Sequence, residues 1–171
     1  CPWDFWEGPG TTWVVDCWCE TEASAQMLNF NPEFSPTASS PLDVIAKRLT
    51  VQGCTFIVTG AAAVPIQIEP LADRDNVVTE VVVTGCSFVR TRLVCRQETT
   101  LLRITNNSFT DFPNPSASAI TVAPLNGRDP AGVIISGNVI ENPHTNAGNF
   151  GVIWCDTDSA IISNNIILGT D

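Results

Sequence analysis

Three pairs of carboxylates stand two residues apart in this chain: Glu20 with Glu22, Asp73 with Asp75, and Asp156 with Asp158. Paired carboxylates support two kinds of chemistry. They can hold calcium, which takes about six to eight oxygens, or serve as the acid and base of a glycoside hydrolase. Asp156 and Asp158 are the candidate metal ligands. The plainer reading of each pair is solvated turn charge, because acidic side chains cap local turns. Arg92, Arg96 and Arg103 are candidates for a base or a substrate clamp, although Arg96 and Arg103 read more simply as surface charge. The sole histidine, His144, sits in the loop Asn142-Pro143-His144-Thr145 and reads as a solvated loop residue rather than a catalyst. No nucleophile–base pair emerges, and tyrosine is absent. No catalytic residue is assigned, and the sequence leans away from an enzyme.

Cysteine is the other reactive residue. There are seven, an odd number that leaves at least one unpaired or paired outside the chain. Such a density favours an oxidising, extracellular setting. The competing reading is cysteine as a small core residue. Asn106-Asn107-Ser108 is a glycosylation sequon with Asn106 as acceptor. Both asparagines fall in the repeated turn described next, where modification conflicts with packing.

The elements that must carry these residues are repeats. Leu49 to Phe56 reads LTVQGCTF, Val81 to Phe88 reads VVVTGCSF, and Leu102 to Phe109 reads LRITNNSF. Val133 to Ile140 reads VIISGNVI, and Ala160 to Ile167 reads AIISNNII. The first half of each alternates with strand periodicity. Its inward set is Leu49 with Val51, Val81 with Val83, Leu102 with Ile104, Val133 with Ile135, and Ala160 with Ile162. A column restricted to Gly and Asn follows: Gly53, Gly85, Asn106, Gly137, Asn164. These types tolerate a left-handed backbone, so the chain turns there in every copy. Next come Cys54, Cys86, Asn107, Asn138 and Asn165. Phe56, Phe88, Phe109, Ile140 and Ile167 then re-enter the core. Between the copies lie further short strands, PIQI, RLVC, AITV and VIWC, ending at Ile68, Cys95, Val122 and Cys155. Fixed strand grammar with variable loops is the signature of a solenoid.

These residues resemble the right-handed parallel β-helix of the pectate-lyase-like superfamily, with its stacked asparagine turn. Asn107, Asn138 and Asn165 match that ladder; Cys54 and Cys86 depart from it. The likeness covers roughly residues 42–171 and implies an all-β, right-handed parallel β-helix solenoid of about five to six coils. It implies little about activity, since such scaffolds carry enzymes, phage tailspikes and inert stalks. The resemblance also implies which constellations to seek. The polygalacturonase-like set (N-T-D, D-D, G-H-G, R-I-K) and an epimerase-like D-P-H-D are absent. Lyase chemistry in the superfamily uses carboxylate-bound calcium with a basic residue, so calcium is the one cofactor kept in view.

Stacked coils place equivalent residues about 4.8 Å apart, inside the Cα window of a disulfide. Cys54 and Cys86 are therefore an internal disulfide candidate, with a reduced stack of two thiols as the alternative. Trp18-Cys19-Glu20-Thr21-Glu22 is matched in chemistry by Trp154-Cys155-Asp156-Thr157-Asp158. That likeness places Cys19 in the Cys155 column, with Trp18 and Trp154 facing outward. Residues 1–41 are expected to form an irregular N-terminal segment with a degenerate first coil or cap, and residues 42–171 the coils.

A net charge of −10, with eight basic residues and no basic stripe, argues against nucleic acid, whose binding rests on neutralising phosphates. No apolar run approaches the roughly 20 residues of a membrane helix. No cap is expected at Ala160 to Leu168; the residues 1–171 contain no signal peptide, and a chain opening on Cys1 is expected to be a processed or excised piece. The expectation is a secreted structural module of a filament, stalk or appendage. It would assemble head-to-tail with itself and lock the joint through an intersubunit Cys19–Cys155 disulfide. A carbohydrate-binding or carbohydrate-active β-helix, with a polysaccharide partner, is the alternative.

Overall fold

A strand that does not form a tight hairpin with its chain neighbour must find its partner further along the chain. Here the partner is always three strands away. The computed structural model describes residues 3–6, 11–22, 28–31, 47–60, 65–68, 78–96, 98–111, 117–125, 129–141 and 151–169. Among them all regular structure is strand, in three six-stranded sheets. The first holds β1 (Trp3–Trp6), β4 (Leu28–Asn31), β7 (Pro65–Ile68), β10 (Arg92–Cys95), β13 (Ile120–Val122) and β16 (Ile153–Cys155). The second holds β2 (Thr11–Val15), β5 (Lys47–Gln52), β8 (Val78–Thr84), β11 (Thr99–Thr105), β14 (Val133–Ser136) and β17 (Ala160–Ser163). The third holds β3 (Trp18–Thr21), β6 (Thr55–Val58), β9 (Ser87–Val89), β12 (Ser108–Thr110), β15 (Val139–Glu141) and β18 (Ile166–Leu168).

Every pairing is parallel, so each trio of strands lies on the next with equivalent residues in register. This topology fits a parallel β-solenoid. The expected inward residues Leu49, Val51, Val81, Val83, Leu102, Ile104, Val133 and Ile135 are all buried. Phe56, Phe88 and Phe109 form a stack behind them, with ring centroids 5.4 Å and 4.6 Å apart. Each fully buried ring contributes about 1.5–3 kcal/mol of transfer free energy, and offset stacking adds to it. Ala160 and Ile162 share the inward columns by register, yet they are exposed. Their strand β17 is the last in its sheet and nothing described lies over it.

The start of the chain differs from expectation. Trp3–Trp6, read as irregular, is β1 and pairs with β4. Strand pairing runs through the boundary at residue 41, since β2 and β3 pair in register with β5 and β6. Leu42, where the coils were expected to begin, lies outside the described residues. Val94 is only 2% exposed, and its neighbour Thr121 only 5%. The outer face of the first sheet is covered at that point.

Candidate functional site

The corner between the second and third sheets is where the sequence grammar is strictest. Its first column holds Asp16, Gly53, Gly85, Asn106, Gly137 and Asn164, all with φ between 52° and 67°. Asp and Asn never follow one another in this column. The reason is steric: a Cβ on Gly53 would collide with Asp16 Oδ1, and one on Gly137 with Asn106 Oδ1. At Gly53 and Gly137 the missing Cβ leaves the space that the preceding Oδ1 occupies.

The second column is a continuous hydrogen-bonded ladder, Cys17–Cys54–Cys86–Asn107–Asn138–Asn165. In its amide half each Oδ1 accepts from the preceding backbone N–H: Cys86 to Asn107 at 2.9 Å, Asn107 to Asn138 at 3.0 Å, and Asn138 to Asn165 at 3.0 Å. Each Nδ2 donates to the carbonyl three residues before the preceding rung. Asn107 reaches Val83 O at 3.0 Å, Asn138 reaches Ile104 O at 2.9 Å, and Asn165 reaches Ile135 O at 3.0 Å. Asn107 and Asn138 also donate to the Oδ1 of the next rung.

The thiols copy this arrangement. Cys54 Sγ donates to Val14 O at 3.3 Å and Cys86 Sγ to Val51 O at 3.6 Å, the same offset of three residues. Each thiol also donates to the carbonyl two residues before it, Cys54 to Gln52 O at 3.3 Å and Cys86 to Thr84 O at 3.4 Å. Burial pushes the Cys86 thiol up to about 12, with smaller contributions from Cys54. Burial also raises Cys54. Both are free thiols, so the expected Cys54–Cys86 disulfide is not formed here. Each sulfur instead takes the part of an amide. Cys17 and Asp16 were not anticipated as members of these columns. The signal in Thr12 to Cys19 was partial: Val14 and Cys17 keep the repeat grammar, while Thr12, Val15, Asp16 and Cys19 depart from it.

Cys19 and Cys155 do not share a column. Cys19 pairs with Phe56 in the third sheet, whereas Cys155 pairs with Val122 in the first. A head-to-tail stack therefore does not bring them together, and the intersubunit disulfide loses its geometric basis. Cys19 heads the column Cys19, Phe56, Phe88, Phe109, Ile140, Ile167. Burial, and then the charge of Asp156, raise the Cys155 thiol. Trp18 and Trp154 are both exposed, as expected, but on different sheets.

The carboxylates do not gather. Asp156, Asp158, Glu20 and Glu22 are exposed, and among the described residues no group of three or more metal-ligating side chains converges. Asp73, Asp75 and His144 lie outside the described residues. Arg103 is exposed on the second sheet, 3.7 Å from Glu80, which also binds Arg48 at 2.5 Å. It serves an outer-face ion pair. Arg92 and Arg96 are half-buried in the first sheet and just after it. Asn106, the sequon asparagine, is exposed but held in the left-handed column.

Two surfaces remain. An open groove of about 430 Å³ on the outer side of the second sheet is lined by Leu101, Gly132, Val133, Ile134, Asp158, Ser159, Ala160 and Ile161. The other surface is an end of the stack. Every exposed large hydrophobic residue among those described belongs to the first trio (Trp13, Val15, Trp18) or the last (Trp154, Ile161, Ile162, Ile166, Ile167, Leu168). The core-facing Ile162 and Ile167 are 50% and 51% exposed, whereas their counterparts Val14 and Cys19 in the first trio are 3% exposed each. Compared with known proteins, the chain is matched by no family model, no curated protein and no solved structure.

Proposed function

We propose that this chain is a structural module, a right-handed parallel β-helix of six coils within an extracellular filament, stalk or surface appendage. The three-strand repeat supports the coil count. The near-universal right-handedness of parallel crossovers supports the hand. The asparagine ladder supports likeness to the pectate-lyase-like superfamily. Extracellular placement rests on the cysteine content alone. The observation that carries the structural role is the half-exposed core at Ile162 and Ile167. A strand trio that shows its core and three parallel edges is a template for a further β-layer, from the same polypeptide or from another.

Light scattering over a concentration series, with and without reductant, tests this reading. Association independent of reductant is expected, because the buried thiols of Cys54 and Cys86 are occupied within the chain. A monomer at every concentration would overturn it.

The groove beside Asp158 favours a second reading, a carbohydrate-binding β-helix. Calorimetric titration with oligouronates checks it: binding lost in Asp158→Asn supports a sugar site, and no heat at millimolar ligand removes it.

A further inference from the structure

We infer that Cys17 and Cys54 form a thiol modification site: a small-molecule disulfide such as oxidised glutathione converts them into an intrachain disulfide that staples the first trio of strands to the second. This site is independent of the structural role proposed above.

Register brings the two residues together. Val15 pairs with Gln52 before the corner and Trp18 with Thr55 after it. The corners between are equally long, Asp16-Cys17 against Gly53-Cys54, so Cys17 and Cys54 are adjacent rungs. Thr55 N–H donates to Cys17 O at 2.8 Å and fixes the contact. Rungs of this kind stand about 4.8 Å apart, inside the Cα window of a disulfide. The sulfurs reach adjacent carbonyls of one strand. Cys17 Sγ lies 3.3 Å from Val15 O, and Cys54 Sγ lies 3.3 Å from Val14 O.

Cys54 has a thiol neighbour on each side, and a disulfide can use only one. Cys86 repeats the geometry, with its Sγ 3.6 Å from Val51 O. Access separates the two choices. Cys54 and Cys86 are 1% and 2% exposed, whereas Cys17 is half-buried. Burial also raises the Cys54 and Cys86 thiols, so neither starts the exchange. An accessible thiol beside a second, resolving thiol is the arrangement of an oxidisable pair.

The Cys17 thiolate attacks one sulfur of glutathione disulfide, which forms a mixed disulfide and releases one glutathione thiolate. Cys54 then gives its proton to solvent and attacks the Cys17 sulfur, and the second glutathione leaves. Two protein thiols are oxidised, and one glutathione disulfide is reduced to two glutathiones. Little bonding is lost, because thiols are weak donors. Gln52 O keeps the Asp16 N–H at 2.9 Å, and Cys86 keeps its bonds to Val51 O and Thr84 O.

The test incubates the folded 171-residue chain with glutathione at graded ratios of disulfide to thiol, traps free thiols by alkylation and maps the tryptic peptides. Peptides 1–47, 49–74 and 75–90 hold Cys17, Cys54 and Cys86 respectively. A cross-link between the first two is expected, with fragmentation placing it at Cys17 rather than Cys19. Two of the seven thiols are lost, and reductant restores them. Cys17→Ser is expected to abolish this cross-link and Cys86→Ser to leave it. The map of the native chain decides the matter even where a variant loses its strand circular dichroism. A Cys54–Cys86 bond, a mixed disulfide at Cys17 that does not resolve, or seven unmodified thiols under excess disulfide overturns the site.

Discussion

The ladder at the corner is built twice, once in sulfur and once in amide. Cys54 and Cys86 make the same bond to the same backbone position as Asn107, Asn138 and Asn165, but at 3.3–3.6 Å instead of 2.9–3.0 Å. The comparison separates geometry from chemistry. The solenoid dictates where a donor and an acceptor must stand, and both halves obey. An amide offers a strong acceptor and two strong donors, so Asn107 and Asn138 each tie three trios together. A thiol offers a weak donor and a weak acceptor, and gains by being small and apolar. The halves meet at the bond from Cys86 N–H to Asn107 Oδ1, so the ladder is continuous while its strength is not.

The largest effect is expected in the amide half. Asn138→Ala strips the partner from Asn107 N–H and from Ile104 O in a fully buried corner. Buried groups left unpaired cost about 1–3 kcal/mol each, so a loss of about 3–5 kcal/mol is expected from urea unfolding. A loss below about 1 kcal/mol would show that the amides are ornament on a stack held by its core. Asn138→Cys comes next: the sulfur can reach the same positions, and about half of that loss is expected to return.

Cys86→Ala is expected to cost about 1–2 kcal/mol, less than Asn138→Ala, because the lost bonds are weaker. A cost equal to that of Asn138→Ala would erase the distinction between the halves. Cys86→Asn sharpens it from the other side. The bond from the residue-86 N–H to Asn107 Oδ1 is kept, and the new amide can donate to Val51 O, so stability at or above that of the native chain in urea unfolding is expected.

Much of this frame was legible in the sequence. A left-handed backbone tolerates few residue types, so Gly53, Gly85, Asn106, Gly137 and Asn164 marked the turn, and register followed from it. The phenylalanine stack followed by simple counting. The first trio was harder to read because it satisfies the same positions with different chemistry: Thr12 for an apolar residue, Val15 for a polar one, Asp16 for Gly or Asn, Cys19 for Phe or Ile. The likeness of Trp18-Cys19 to Trp154-Cys155 misled for a related reason. Local residue chemistry repeats without regard to register, and only the turn column fixes which sheet a strand joins. The exposure of Ile162 was illegible, because the sequence marks it as an inward residue and says nothing of what lies over it.

The finest contrast between the halves is in their response to alkali. Asparagine does not titrate, whereas the Cys86 thiol is held up to about 12 from an ordinary value of 9.0, chiefly by burial. The folded chain keeps this proton where the unfolded chain has released it. Unfolding therefore gains from each rise in pH above about 9, and stability falls across that window until about 12. Cys54, raised in the same direction, adds to the slope. Urea unfolding at pH 8 and pH 10.5 for the native chain and for Cys86→Asn isolates the contribution, since the remaining titrations are shared. The variant is expected to lose less stability between the two conditions. Equal losses would mean that the Cys86 sulfur ionises in the folded state, and that the thiol half of the ladder stands in water rather than in the core.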